Sequence, residues 1–213
     1  MKPYYETPNG KLYHGNCLDI MPELEPVDLV LTDPPYGIGN KWVGGFSVAH
    51  GWGSLKNEQE TRNLWDSEIP RQEVFDYIFA ISKNQIIWGG NYFNLPASRC
   101  WLLWVKPERG FSLAEAEMAW TNQDNVIRVY DRHRHNKNKV HPTQKPTNLF
   151  VWCLNQSWSK QSNLIFDPFL GSGTTAIACE RINRRWIGIE ISEAYCEIAA
   201  KRIESERKQR KMF

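Results

Sequence analysis

Long apolar runs are missing from this 213-residue chain. No stretch reaches membrane-spanning length, and the N-terminus carries no signal-peptide pattern, so a cytoplasmic protein with no membrane partner is expected. Cysteine is sparse: Cys17, Cys100, Cys153, Cys179 and Cys196 are scattered, odd in number and free of any C-x-x-C pair. A disulfide framework is thereby excluded, and the five read as reduced core residues. The five histidines show no metal-ligand spacing either, so zinc is not expected, nor any other metal. Charge of one sign is lacking as well. With 26 basic and 24 acidic residues the net charge is +2, too small to argue for nucleic acid unless the cations cluster locally. Aromatic residues are plentiful, at 13% with ten tryptophans, and the length suits one domain (1–213) with a sizeable core.

The chain is organised around Val27 to Gly39, VDLVLTDPPYGIG. Val27, Leu29, Val30 and Leu31 form the short apolar run of a strand buried on both faces of a parallel sheet. Asp33-Pro34-Pro35-Tyr36 must stop that strand. The prolines lack N–H groups, and each holds the residue before it in extended geometry, which fixes the direction of Asp33 and of the Pro34 carbonyl. The product is a rigid ledge with a carboxylate, a carbonyl and an aromatic face at the carboxyl end of a strand, where open α/β sheets bind ligands. Such a ledge suits the exocyclic amine of adenine or cytosine, whose lone pair is delocalised into the ring. Two acceptors gripping its N–H bonds would localise that pair, and Tyr36 would stack on the base for roughly 1–3 kcal/mol. By itself the tetrapeptide also fits a strand end with a proline turn and a solvated Asp.

A second motif, Phe166 to Thr175 (FDPFLGSGTT), reads as a strand end, a glycine loop and a helix running to about Ile182. Gly171, Gly173 and Ala176 fit the G-x-G-x-x-G/A spacing, which permits a tight turn and close backbone approach to a ligand. The next strand ends in Glu190, at the separation of about 20 residues where an acid meets ribose hydroxyls. The loop alone fits a dinucleotide, a nucleoside or a plain tight turn.

Together these residues resemble the amino-methylating DNA methyltransferases that use S-adenosylmethionine, in the permuted order that sets the catalytic D-P-P-Y before the F-x-G-x-G loop. His141-Pro142-Thr143-Gln144-Lys145-Pro146 matches that beta group's H-P-T-x-K-P motif, and Gly15-Asn16-Cys17-Leu18-Asp19 its segment upstream of D-P-P-Y. The resemblance covers nearly the whole chain, including small bacterial and phage members. It implies a Rossmann-like α/β fold: a three-layer sandwich around about seven mostly parallel strands, with an antiparallel edge hairpin. It implies catalysis by Asp33, Pro34, Pro35 and Tyr36. It places S-adenosylmethionine, which leaves as S-adenosylhomocysteine, against Asp19, Asp33, His141, Thr143, Lys145, Pro146, Asp167, Pro168, Phe169, Gly171, Ser172, Gly173, Thr174 and Glu190. Asp19 can alternatively cap a brief helix. The partner implied is double-stranded DNA with a flipped base, and the enzyme a monomer or homodimer in the cytoplasm of a bacterial or phage-infected cell.

The remaining segments fill out this reading. Residues 37–64 carry six glycines and no periodicity, directly after the ledge, which suits a lid over DNA and target base, with Lys41 and Lys56 on phosphates. Residues 71–83 pattern as an amphipathic helix, and 85–88 as a buried strand whose continuation holds Asn91 and Tyr92 near the base pocket. Arg99–Val105 is the most hydrophobic strand and is expected in the centre of the core. Met118–Thr121 and Val126–Tyr130 are expected to form the edge hairpin. The basic loop at 130–140 offers Arg132, Arg134, Lys137 and Lys139 to DNA phosphates. Only these two loops remain for recognition, so no sizeable target-recognition domain is expected. Asp ahead of P-P-Y resembles adenine-N6 enzymes; N4-cytosine methylation is the alternative. Rivals of other classes are the N-P-P-Y enzymes acting on RNA or protein, which place the cofactor loop first, and a non-catalytic DNA- or cofactor-binding partner subunit.

Overall fold

The computed structural model describes residues 1–38, 68–106, 114–131 and 145–210. Nine strands among them make one sheet in the order β1-β2-β9-β8-β3-β4-β6-β5-β7. The strands are β1 (Tyr5–Glu6), β2 (Gly10–His14), β3 (Val27–Thr32), β4 (Ser82–Trp88), β5 (Trp101–Val105), β6 (Ala116–Thr121), β7 (Arg128–Asp131), β8 (Leu164–Asp167) and β9 (Arg185–Glu190). Five neighbours, β2, β9, β8, β3 and β4, run parallel.

Alternation along the strands feeds two cores. Leu29 and Leu31 of β3, with Leu12, Ile86 and Trp88, face the helices α3 (Thr147–Leu154), α4 (Thr174–Arg181) and α5 (Glu193–Arg210), through Phe150, Ile177 and Ile203. Val30, Ile87, Phe166 and Ile189 face the opposite layer, formed by α1 (Cys17–Ile20) and α2 (Gln72–Ile81) through Ile20, Val74, Phe75 and Ile78. The expected three-layer sandwich is therefore present, and β3 is buried on both sides. The five cysteines are free and buried, and no helix among the described residues is long and apolar enough to cross a membrane.

Three expectations are corrected. The sheet has nine strands rather than about seven; the N-terminal segment supplies two of them, β2 beside β9 and β1 as an antiparallel edge pairing Tyr5 with Leu12. The segment 118–130 is not a hairpin: β5 lies between β6 and β7, antiparallel to the first and parallel to the second. The connection reverses the chain but is held at the start of β4, so β6 and β7 do not pair with each other. Asn122 accepts from the Gln85 N–H (3.1 Å) and donates to the Lys83 carbonyl (2.9 Å), while Gln123 donates to Asn84 (2.8 Å). As a consequence β5, the most hydrophobic strand, sits next to the edge; only Leu102 and Trp104 are buried, on one face.

At the other side of the sheet a close approach demands glycine. A Cβ at Gly10 would fall 2.3 Å from the indole of Trp186, which is itself buried and held by Glu180 (3.0 Å from Nε1). Gly10→Ala is expected to destabilise the fold by about 2 kcal/mol through overpacking, read as a lower urea midpoint with unchanged slope.

Candidate active site

The carboxyl ends of the five parallel strands converge, and the chain leaves two of them in opposite directions. From β3 it passes through α2 to β4; from β8 it passes through α4, on the other face, to β9. The crevice between β3 and β8 is thus the switch point at which open α/β sheets bind ligands. Thr32, the last residue of β3, spans it by donating its hydroxyl to Asp167 Oδ1 at 2.7 Å.

Asp33 follows on one side of the crevice. Its Oδ1 accepts from Lys145 Nζ (2.5 Å) and from the Tyr36 hydroxyl (2.5 Å), and Lys145 also lies 2.9 Å from the Tyr36 oxygen. No hydrogen bond to Oδ2 is formed among the described residues, and the Asp33 side chain is 27% exposed. Lys145, only 5% exposed, makes a second ion pair with Glu117 Oε2 at 3.1 Å, and Glu117 Oε1 is paired with Lys106. Burial opposes charge on Asp33, Tyr36, Lys145 and Glu117 alike. It raises the Asp33 carboxyl, against the pull of Lys145, and raises the Tyr36 hydroxyl well above its usual range, helped by the Asp33 charge. For Lys145 burial acts downward, yet Asp33 and Glu117 hold the ammonium well above its ordinary value. Burial of Glu117 is likewise overcome, by Lys145 and Lys106, which lower it to about 2.

The Tyr36 ring does not stand free. It stacks on Tyr92 with centroids 4.9 Å apart and planes at 12°, and Tyr92 is 44% exposed at the mouth. The chain turns toward Tyr92 at Gly89 (φ +69°), where a Cβ would come within 2.1 Å of the Tyr36 ring. Pro34 is buried directly after Asp33.

On the other side lies the glycine loop. Gly171 (φ +53°) and Gly173 (φ +86°) turn it in left-handed geometry, and Gly173 caps α4, which starts at the buried Thr174. Glu190, closing β9, accepts from the Gly171 N–H (2.7 Å) and the Ser192 N–H (2.8 Å). Ser172 is held from behind by Arg202 of α5, through its carbonyl and its hydroxyl. Pro168 and Phe169 follow Asp167 into this loop, and Phe169 remains partly exposed.

Other expected site residues have partners within the protein itself. Asp167 is 2% exposed, and its two oxygens take the hydroxyls of Thr32 and Thr175 (2.5 Å) and the Phe169 N–H (3.0 Å), so it ties the loop together from inside. Lys145, expected at the cofactor, pairs with Asp33 and Glu117, the carboxylates nearest to its buried ammonium. Asp19 does not cap α1: Asn16, one residue ahead of the helix, accepts from Leu18 N–H at 3.0 Å, leaving Asp19 in the first turn. That helix nonetheless reaches the same sheet end, since Gly15 N–H bonds the Glu190 carbonyl at 3.0 Å. Pro146 precedes α3 as its N-cap residue. Lys41, Lys56, Arg132, Arg134, Lys137, Lys139, His141 and Thr143, with most of both expected loops, lie outside the described residues.

Glu117 and Lys106 were not singled out from the sequence. A period-2 signal was available: Leu102, Trp104 and Lys106 share one face, as do Glu117, Ala119 and Thr121, so opposite charges fall on the buried side of paired strands.

The comparisons with known proteins concern the family and the fold. The family model for N6/N4 methyltransferases, described as DNA methylase, matches residues 53–201. The chain belongs to this DNA methylase family. Type II methyltransferase M.HpaI of Haemophilus parainfluenzae is 27% identical over 247 residues, covering 92% of this chain and 74% of its own. Type II methyltransferase M2.DpnII of Streptococcus pneumoniae is 27% identical over 256 residues, covering 96% and 93%. Among solved structures, the M1.HpyAVI–SAM complex has a TM-score of 0.59 at 18% identity, covering 91% of this chain and 98% of its own. The cytosine-N4-specific PvuII DNA methyltransferase has a TM-score of 0.60 at 18% identity, covering 98% and 94%. These two likenesses establish the methyltransferase fold.

Burial pushes the Asp167 carboxyl up to about 6, from an ordinary 3.8, the hydroxyls of Thr175 and Thr32 opposing it. A carboxyl raised in the fold keeps its proton there while the unfolded chain loses its own, so stability falls as pH rises from about 4 to about 6. Asp167→Asn, which cannot titrate, should remove roughly 2 kcal/mol of that fall. Urea unfolding at pH 4.5 and pH 7 should show the variant's stability changing less between the two than the parent's.

Proposed function

We propose that this methylase transfers a methyl group from S-adenosylmethionine to the N6 amine of an adenine flipped out of double-stranded DNA. One observation carries the reading: the Asp33 carboxylate and the glycine loop face each other across the β3/β8 switch point, coupled by the Thr32–Asp167 hydrogen bond. The loop fits a nucleoside. Two left-handed glycines expose its backbone, and Glu190 retains acceptor capacity for ribose hydroxyls beyond its two N–H bonds. Gly171, Ser172, Gly173 and Glu190, with Phe169 beside them, would hold the cofactor, which supplies an electrophilic methyl on a sulfonium when bound.

The protein's own groups act on the amine. Asp33 Oδ2 and the Pro34 carbonyl take its two N–H bonds and localise its lone pair, while Lys145 and Tyr36 hold Oδ1 and so fix the carboxylate. The base meets an aromatic pair, Tyr36 with the exposed Tyr92, rather than a single ring. Positioning and electrostatics then carry the rate. N4-cytosine is the second reading, favoured by the likeness to the cytosine-N4-specific PvuII enzyme.

The chain forms one domain, a monomer or homodimer in the cytoplasm. In this reading the 37–64 segment is assigned to the target base, and Arg132, Arg134, Lys137 and Lys139 of 130–140 to DNA phosphates. The 247-position alignment with M.HpaI exceeds the whole 213-residue chain, so that relative carries insertions absent here, which supports recognition by short loops alone.

Expression in a methylation-free host, followed by single-molecule sequencing of its DNA, tests the target: N6-methyladenine is expected, and N4-methylcytosine would transfer the reading to cytosine. Asp33→Ala should lower methyl incorporation by at least about 10²-fold while calorimetric affinity for S-adenosylmethionine stays near that of the parent. Retained turnover would remove Asp33 from the chemistry.

A further inference from the structure

Four buried or half-buried charges alternate in sign along one line: Asp33, Lys145, Glu117 and Lys106. Each comes from a different segment, namely the end of β3, the approach to α3, β6 and the residue after β5. Lys145 stands between two carboxylates, 2.5 Å from Asp33 and 3.1 Å from Glu117, and Lys106 takes the other oxygen of Glu117. Lys145 and Lys106 are 5% and 7% exposed. Such a row is costly to desolvate and adds little stability compared with apolar packing, so its presence calls for another reason.

The reason lies in what Lys145 would do alone. With Asp33 as its sole counter-ion, the ammonium would grip the carboxylate and place positive charge where the target amine becomes positive. A second carboxylate loosens that grip. We propose that Glu117 is a positioning residue for amine methylation, sharing the Lys145 ammonium so that Asp33 can turn to the target amine while Lys145 remains paired. Lys106 in turn offsets the charge of Glu117. This rests on the reading of Asp33 as the amine acceptor. Among the described residues, the other groups around Lys145 are Tyr36, the ring of Trp88 on β4 at 5.6 Å, and the Cys153 thiol of α3.

The double variant Glu117→Gln/Lys106→Met tests it, since it removes one charge of each sign and leaves the Asp33–Lys145 pair. Thermal unfolding, calorimetric affinity for S-adenosylmethionine, kcat and KM for DNA, and the pH dependence of kcat are measured together. Expected are near-parental melting, cofactor affinity and KM, with kcat reduced about tenfold to a hundredfold, the scale of a misplaced reacting group. The acid limb of kcat should move to lower pH, because Glu117 raises the Asp33 carboxyl and its loss leaves Lys145 to lower it. A folded double variant with kcat within about threefold of the parent and an unmoved acid limb would overturn the proposal, as would a loss confined to cofactor affinity. Should that variant not fold, Glu117→Asp, which keeps the charge on a shorter stem, should lower kcat and shift the same limb; unchanged values would overturn the proposal equally. Asp33→Ala is assayed beside them: turnover in that variant would sink the reading of Asp33 itself, independently of Glu117.

Discussion

A lysine ammonium that is 5% exposed has to be met by anions, and the site is assembled around that requirement. Lys145 draws the end of β3 and the inward face of β6 to the start of α3, segments far apart in the chain, and through Glu117 it reaches the end of β5. Removing one partner from such a group leaves a buried charge uncompensated, at a cost of roughly 3–5 kcal/mol, whereas replacing the whole group by apolar side chains is often neutral. The arrangement is therefore poorly explained by stability. It fits a site that needs a carboxylate held at a defined place in a half-exposed crevice.

The opposite wall follows a similar economy. Asp167 and Glu190 have sequence positions that suggest ligand contacts, yet both bind the protein's own N–H and O–H groups first. Asp167 gathers Thr32, Thr175 and Phe169 beneath the loop, and Glu190 pins Gly171 above it. Two left-handed glycines would otherwise leave that loop with many accessible shapes. Fixing it before a ligand arrives reduces the ordering cost of binding. The Thr32–Asp167 bond also couples the two walls, so that the ledge and the loop keep a fixed relation across the switch point.

Much of this was legible in local sequence. The apolar run before Asp33, the two prolines, and the paired glycines before α4 act through steric rules that need no tertiary context, and both motifs stand at strand ends as expected. The amphipathic pattern at 71–83 likewise yields α2, although the strand β4 begins at Ser82, with no loop after the helix. Reading fails where side chains choose distant partners. Asn122 and Gln123 look like turn residues, but they anchor to β4, and the apparent hairpin opens to admit β5.

The sequence by itself therefore determined the ledge at Asp33–Tyr36 and the glycine loop, because each rests on backbone constraints written into consecutive residues, while the class of fold came through the resemblance those motifs carry. Tertiary structure alone decided the strand order beyond β4, the stacking of Tyr36 on Tyr92, and the pairing of Lys145 with Asp33 and Glu117. Those outcomes depend on which groups are buried together, and a buried charge or ring takes its partners from whatever the packing brings within a few ångströms.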